Sequence, residues 1–490
     1  MHPVHIRDLS FTYRGSDRKA LDGVDFDLRE GEMVALMGRT GAGKSTLCRC
    51  LNGIIPGFQK GKFSGDTRIF GESTRDKQIY ELAQNVGLVF QDFEPQLFST
   101  SVELEVAFGP ENLALPRDEI AARVNYALHT VGLEGFENRQ PYNLSGGEKQ
   151  RLAIASVLSS KPRILVLDEP TTDLDPQGRY DIFSALKKLR DESVCLLIVE
   201  QDVEDVMGAD RVTIMDAGKI VASGETREIF GDIQLLEQHG IRPPQTARLF
   251  AAMGESPLPL TAEEAYKIGG ARLNALIDEE KFRLLLNEDA ARNESYGDVV
   301  IELEGLKYSY PGAGEALSGI DLQIREGEFV AIIGQNGSGK TTLAKHLNGL
   351  LRPSAGKVLC SGRDTAKLSI SELGKIVGYV FQNPDHQIFA SNVKEELTFG
   401  PKNYGLSQEE IARNVDQALE AVHLKGYEES DPFSLTKGER QRVAVASVLA
   451  CKPKVLVLDE PTTGLDYPQQ KSMMELLRSL NAAGHTVIII

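Results

Sequence analysis

At 490 residues the chain exceeds what one hydrophobic core can organise, and at about 150 residues per domain it implies roughly two to four domains. Its formal net charge of -17, without any Lys/Arg-rich run, excludes the basic face of a general nucleic-acid binder. No apolar run approaches about 18 residues, and Met1-His2-Pro3-Val4-His5 lacks a charged segment followed by an apolar one, so neither a membrane span nor a secretion signal is expected.

The predicted elements come twice. Gln91 recurs as Gln382, Asp168 as Asp459 and Glu169 as Glu460, each 291 positions on, whereas Lys44 recurs as Lys340 at 296; a short insertion between Ile54 and Phe63 makes the difference. Each copy opens with an aromatic-rich strand, Leu9-Ser10-Phe11-Thr12-Tyr13 and Leu306-Lys307-Tyr308-Ser309-Tyr310. Tyr13 and Tyr310 either offer a ring to a base or serve as ordinary strand aromatics.

A strand, glycine loop and helix follow, matching G-x-x-x-x-G-K-[ST] as Gly38, Gly41, Gly43, Lys44, Ser45 and as Gly334, Gly337, Gly339, Lys340, Thr341, with Thr46 and Thr342 next. The glycines let backbone N–H groups wrap phosphates, each lysine reaches the β- and γ-phosphates, and Ser45 or Thr341 supplies a hydroxyl to magnesium. Further on, Leu144-Ser145-Gly146-Gly147-Glu148 holds no nucleophile, base or metal ligand. It offers a hydroxyl and a flexible backbone ahead of a helix-like run, the makings of an anion site. The repeat reads Leu435-Thr436-Lys437-Gly438-Glu439.

The apolar runs Ile164-Leu165-Val166-Leu167 and Val455-Leu456-Val457-Leu458 are expected as buried parallel strands, each ending in paired acids. Such pairs are costly without a cation or a proton to handle. Asp168 and Asp459 are the magnesium-side acids, and Glu169 and Glu460 are placed to polarise an attacking water. Five cysteines, Cys48, Cys50, Cys195, Cys360 and Cys451, make no metal-ligand spacing and are given no function.

Taken together, phosphate loop, glutamine after a strand, Ser-Gly-Gly-Glu and Asp-Glu-Pro resemble the ATP-binding cassette ATPases over both halves. The resemblance implies an α/β fold of two phosphate-loop cassette domains, each with an antiparallel β-subdomain and a helical subdomain, packed head to tail. Each ATP is then held by one unit's loop and the other's signature, Ser145, Gly146, Gly147 and Glu148 or Thr436, Lys437, Gly438 and Glu439. Gln91 and Gln382 fall where the family places a catalytic, magnesium-contacting glutamine. Boundaries are expected at 1–231 and 298–490, with 232–297 a helical extension too long and apolar for a flexible linker.

Phe381-Gln382-Asn383-Pro384-Asp385-His386-Gln387-Ile388-Phe389, followed by Phe399-Gly400-Pro401, looks more narrowly like the ATPases of energy-coupling factor importers of vitamins and transition-metal ions. The first half matches more loosely, with Asp92-Phe93-Glu94-Pro95 after Gln91. This subtype implies an integral membrane transport subunit and a substrate-binding membrane subunit as partners. It places the chain peripherally on the cytoplasmic face of the membrane, with no direct nucleic-acid contact. Glu105 and Glu396 would be acidic contacts to the membrane subunit, unless they belong to a solvated helix face. A soluble twin cassette acting on nucleic acid or ribosomes shares the ATPase motifs, but usually adds a charged linker helix or basic arms that this chain lacks.

Gln201 stands where the family usually has a histidine that contacts the γ-phosphate, and it cannot carry the imidazole's charge. Lys437 replaces a signature glycine, at a cost of about 1–2 kcal/mol if that position needs a positive φ. Head-to-tail packing would gather Gln201, Thr436 and Lys437 into one weak site and leave Lys340 facing the intact Ser145-Gly146-Gly147; independent drift is the alternative. The counterpart of Gln201 falls two positions past Ile490, which reads as a truncated second copy.

Overall fold

The computed structural model describes residues 2–172, 174–275, 278–311 and 314–490. It forms two compact units, Met1–Leu273 and Asn274–Ile490.

The first unit has two sheets. Strands β1 (Val4–Tyr13), β2 (Leu21–Leu28), β4 (Gly61–Ile69) and β5 (Glu72–Ser73) make an antiparallel sheet in the order β2-β1-β4-β5. Alternation drives it: along β1, Val4, Ile6, Leu9 and Phe11 are buried with more accessible residues between, so one face packs inward. The second sheet runs β10-β9-β3-β8-β7-β6, from Lys219–Glu225, Arg211–Asp216, Met33–Met37, Cys195–Val199, Ile164–Asp168 and Val86–Val89. β3, β7 and β8 pair in parallel and are buried at every position, as expected of continuous apolar runs covered on both faces.

Two cores lie on the two faces of this sheet. One gathers the antiparallel sheet and the helix Lys44–Leu51; the other gathers the helices Val102–Asn112, Arg117–Thr130 and Gly146–Leu158. Leu236, Ile241, Ala247 and Leu260 join the second, so the beginning of the 232–297 stretch packs as part of the first unit.

The second unit repeats the plan. β11 (Val299–Ser309), β12 (Glu315–Arg325), β14 (Ala355–Cys360) and β15 (Arg363–Asp364) form the antiparallel sheet, ordered β12-β11-β14-β15. β13 (Phe329–Ala331), β18 (Thr486–Ile489), β17 (Val455–Leu458) and β16 (Val377–Val380) are all parallel, in that order. β13 is the edge of this sheet among the described residues and is more accessible than β3.

Candidate functional site

The glycine loops form as the motif demands. Gly43 and Gly339 cap the helices Lys44–Leu51 and Lys340–Leu347 with φ of 102° and 93°. A Cβ at Gly43 would stand 2.4 Å from the Ala20 carbonyl oxygen, and one at Gly339 2.6 Å from that of Ala316, so no side chain fits either place. Lys44 Nζ donates to the carbonyls of Gly38 (2.7 Å) and Arg39 (3.0 Å), and Lys340 Nζ to those of Gly334 and Gln335 (both 2.9 Å). Each lysine thus lies across the loop whose amides define its phosphate cradle. Tyr13 shares a hydrogen bond with Thr46 (3.0 Å) and Tyr310 with Thr342 (3.1 Å), which fixes both rings beside the loop helices.

The acid pairs close on these loops from β7 and β17. Asp168 is bonded to Ser45, and Thr341 donates to Asp459 Oδ1 at 3.1 Å. Burial pushes the Asp168 carboxyl up to about 6, and its Oδ1 is a buried oxygen without a hydrogen-bond partner. A divalent cation fits such an oxygen, because it would restore the charged form that burial disfavours. No group of three or more His, Cys, Asp or Glu placed to hold a metal ion occurs among the described residues, so a cation here would take much of its coordination from phosphate and water, as magnesium does. The two copies differ at this point: Tyr379 donates to Asp459 Oδ2 at 2.8 Å, where the first copy has Leu88.

Gln91 Nε2 donates to Glu169 Oε2 at 2.8 Å, Gln201 Nε2 donates to Glu169 Oε1 at 2.9 Å, and Gln382 Nε2 donates to Glu460 Oε2 at 2.7 Å. Both glutamates hold a left-handed backbone, φ 51° and 46°, that bulky residues rarely adopt. Strain of this kind gathers at functional sites. Behind Gln201 lies a buried network that the sequence reading missed. Thr171 Oγ1 donates to Glu200 at 2.7 Å and to Asp205 at 3.3 Å, while Arg179 bridges Asp202 and Asp205. The acid in "Glu-Gln-Asp" was visible, but nothing local says that Glu200 points inward.

The signatures are helix starts. Ser145 and Thr436 cap the helices Gly146–Leu158 and Lys437–Leu449, with Glu148 and Glu439 completing capping boxes. The carboxylates of Glu148 and Glu439 accept from Ser145 N and Oγ (2.7 and 2.8 Å) and from Thr436 N and Oγ1 (2.8 and 2.7 Å), so they orient the cap. The condition attached to the cost at Lys437, a positive φ, is not met at Gly146. That glycine is helical, not left-handed, and a Cβ on it meets nothing within 4 Å, so Lys437 carries no backbone penalty. The close approach belongs to the next residue, where a Cβ on Gly438 would lie 2.9 Å from Gln469 Cδ. The Lys437 ammonium instead crosses to Gly464 of its own unit, 2.2 Å from where a Cβ on that residue would stand.

The acidic contacts are corrected. Glu105 and Glu396 are 2% and 4% exposed. Glu105 Oε2 accepts from Phe98 N (3.0 Å) and Ser99 N (2.7 Å), and Glu396 Oε2 accepts from Phe389 N (3.0 Å) and Ala390 N (2.9 Å). They tie the glutamine loop to its following helix and present no charge outward. What the loop does present is aromatic: Phe98 stands edge-on to Phe108 and Phe389 to Phe399, each pair 4.7 Å apart and all four rings exposed. The repeat of these four residues was the available signal.

This fold and these loops define a tandem nucleotide-binding ATPase, and the comparisons agree. The ABC transporter family model matches residues 21–172 and 317–463, and the chain belongs to that family, whose cassettes bind and hydrolyse ATP. An ABC transporter ATP-binding protein of Caldanaerobacter subterraneus is 49% identical over 99% of this chain and 86% of its own length. One of Methanosarcina acetivorans is 41% identical over 99% of this chain and 81% of its own. Among solved structures, cbiO1 of Clostridium perfringens, described as part of the ABC transporter complex cbiONQ, is 33% identical over 51% of this chain and 99% of its own, with a TM-score of 0.44.

Proposed function

We propose that this chain is the ATP-hydrolysing motor of an importer of energy-coupling factor type, driving uptake of a vitamin or metal ion through a separate membrane partner. The observation that carries the reading is the bond from each loop glutamine to the acid that would activate water, Gln91 to Glu169 and Gln382 to Glu460. The same loop carries Phe98 or Phe389 a few residues on, each standing exposed against an aromatic of the following helix, Phe108 or Phe399. Displacing the pair therefore pulls on the donor that holds the catalytic carboxylate, which is what coupling hydrolysis to a partner requires.

In this reading the integral transport subunit docks on Phe98–Phe108 and Phe389–Phe399, a substrate-binding membrane subunit selects the solute, and the chain works peripherally at the cytoplasmic face. Lys44 and Lys340 hold the phosphates. Asp168 with Ser45 and Gln91, and Asp459 with Thr341 and Gln382, would hold Mg2+, which when bound neutralises charge on the phosphate oxygens. Glu169 and Glu460 orient and deprotonate the attacking water. One ATP site would be degenerate, its departures from the family pattern being Gln201, Thr436 and Lys437, and the hydrolysing site would be the consensus one, with Lys340 and Glu460.

The experiment is affinity purification from membranes, with ATP turnover measured on the recovered material. Co-purification of two integral membrane proteins that is lost in Phe98→Ser/Phe108→Ser/Phe389→Ser/Phe399→Ser supports the reading. Recovery of RNA or DNA in their place would overturn it.

A further inference from the structure

A cavity of about 390 Å³ lies in the first unit, lined by Phe70, Tyr126, Lys161, Arg163, Leu189 and Val194 among others. It opens where β7 and β8 begin, since Arg163 and Val194 immediately precede Ile164 and Cys195, whereas the nucleotide residues sit where those strands end. It is therefore separate from the phosphate loop.

We propose that this cavity is a second ligand site, taking a small organic anion with a planar apolar body and a phosphate or carboxylate head. Its size falls within that of small-molecule pockets. The Arg163 guanidinium lies 3.7 Å over the Phe70 ring and the Lys161 ammonium 5.7 Å from the Tyr126 ring centre. Neither cation makes an ion pair among the described residues, so both remain available to an anion. A guanidinium stacked on a ring keeps its edge donors for a bidentate anionic partner. Tyr126 is held in place because its hydroxyl donates to Glu192 at 2.6 Å. Leu158, Leu189 and Val194 supply the apolar wall.

The second unit is the internal control. By the repeat, Lys454 stands for Arg163 and Glu326 for Glu30, and there the two form an ion pair at 2.9 Å. Ser361 stands for Phe70 in the same left-handed turn, φ 47° against 50°, and Gln417 stands for Tyr126. The turn therefore needs no aromatic residue. In the first unit the basic residue is turned from the acid onto a ring, and Glu30 is left at the rim as a charge that selects against bulky polyanions.

The test is isothermal titration of the full chain, with saturating ADP to fill the phosphate loops, using phenyl phosphate, benzoate and inorganic phosphate as probes. Phenyl phosphate should bind, and Arg163→Lys/Phe70→Ser/Tyr126→Gln, which installs the second unit's residues, should weaken it at least tenfold while ADP binding is retained. The single exposed change Arg163→Gln, which touches no core contact, should weaken it in the same direction. No binding to the unaltered chain, unchanged binding in Arg163→Gln, or inorganic phosphate binding as tightly as phenyl phosphate would overturn the proposal.

Discussion

Glu200 is one residue from Gln201 and 3% exposed, and burial raises its carboxyl from an ordinary 4.5 to about 8. Thr171, Asp205, Glu169 and Arg179 surround it. The folded state therefore keeps a proton that the unfolded chain gives up, so stability falls as pH rises from the ordinary value through about 8. Glu200→Gln cannot ionise and still accepts from Thr171. The midpoint of first-unit unfolding in urea, compared at pH 6 and pH 9, should drop in the unaltered chain and drop less in the variant; equal slopes would mean that Glu200 is ionised throughout. Of this cluster the sequence made only Gln201 legible. A motif marks residues that touch ligand, but whether a neighbouring acid faces solvent or core depends on residues far along the chain, here Thr171 and Arg179.

At the level of single elements, the helices Val102–Asn112 and Val393–Asn403 show the same limit. Repetition located Glu105 and Glu396 correctly on their helices and paired them across the copies. A glutamate in a first helical turn has two good fates, solvent or the amides of the preceding loop, and both look alike in sequence. The structure selects the second. Glu105→Arg should accordingly destabilise the first unit by about 3–5 kcal/mol, because it buries an unpaired charge and orphans two N–H groups. Phe98→Ser with Phe108→Ser should stay within about 0.5 kcal/mol of the parent, since both rings are exposed. Chemical unfolding checks both, and the ordering of the two variants is the decisive result. By contrast β7, β17 and both glycine loops were legible throughout, because continuous burial and a steric need for glycine leave their mark residue by residue.

Across the whole molecule the two halves are unequal in more ways than their motifs. Asp459 has hydrogen bonds to both carboxylate oxygens, whereas Asp168 Oδ1 has none; Lys437 carries a charge where Gly146 carries nothing. If Lys340 and Glu460 serve the hydrolysing site, Glu460→Gln should cut turnover by about 10²–10⁴-fold and Glu169→Gln by much less. Steady-state phosphate release reads this, and equal losses would dissolve the division of labour. If Gln201, Thr436 and Lys437 weaken one ATP site, then in a Glu460→Gln background Gln201→His with Thr436→Ser and Lys437→Gly should raise turnover while each change alone does little, because groups acting on one transition state are not additive. The gain at Lys437 would come from removing its ammonium, since its backbone is already helical.

The left-handed backbone at Glu460 sets stability and chemistry against each other at one codon. Replacing it by Gly or Asn, which tolerate φ 46°, should relieve about 1 kcal/mol while removing the carboxylate proposed as the base. The bond lost from Gln382 lies in solvent, and the one from Thr463 at 3.1 Å is partly buried and offsets part of that gain. A library of this protein selected only for heat resistance would therefore fill with variants that melt later and no longer turn over ATP.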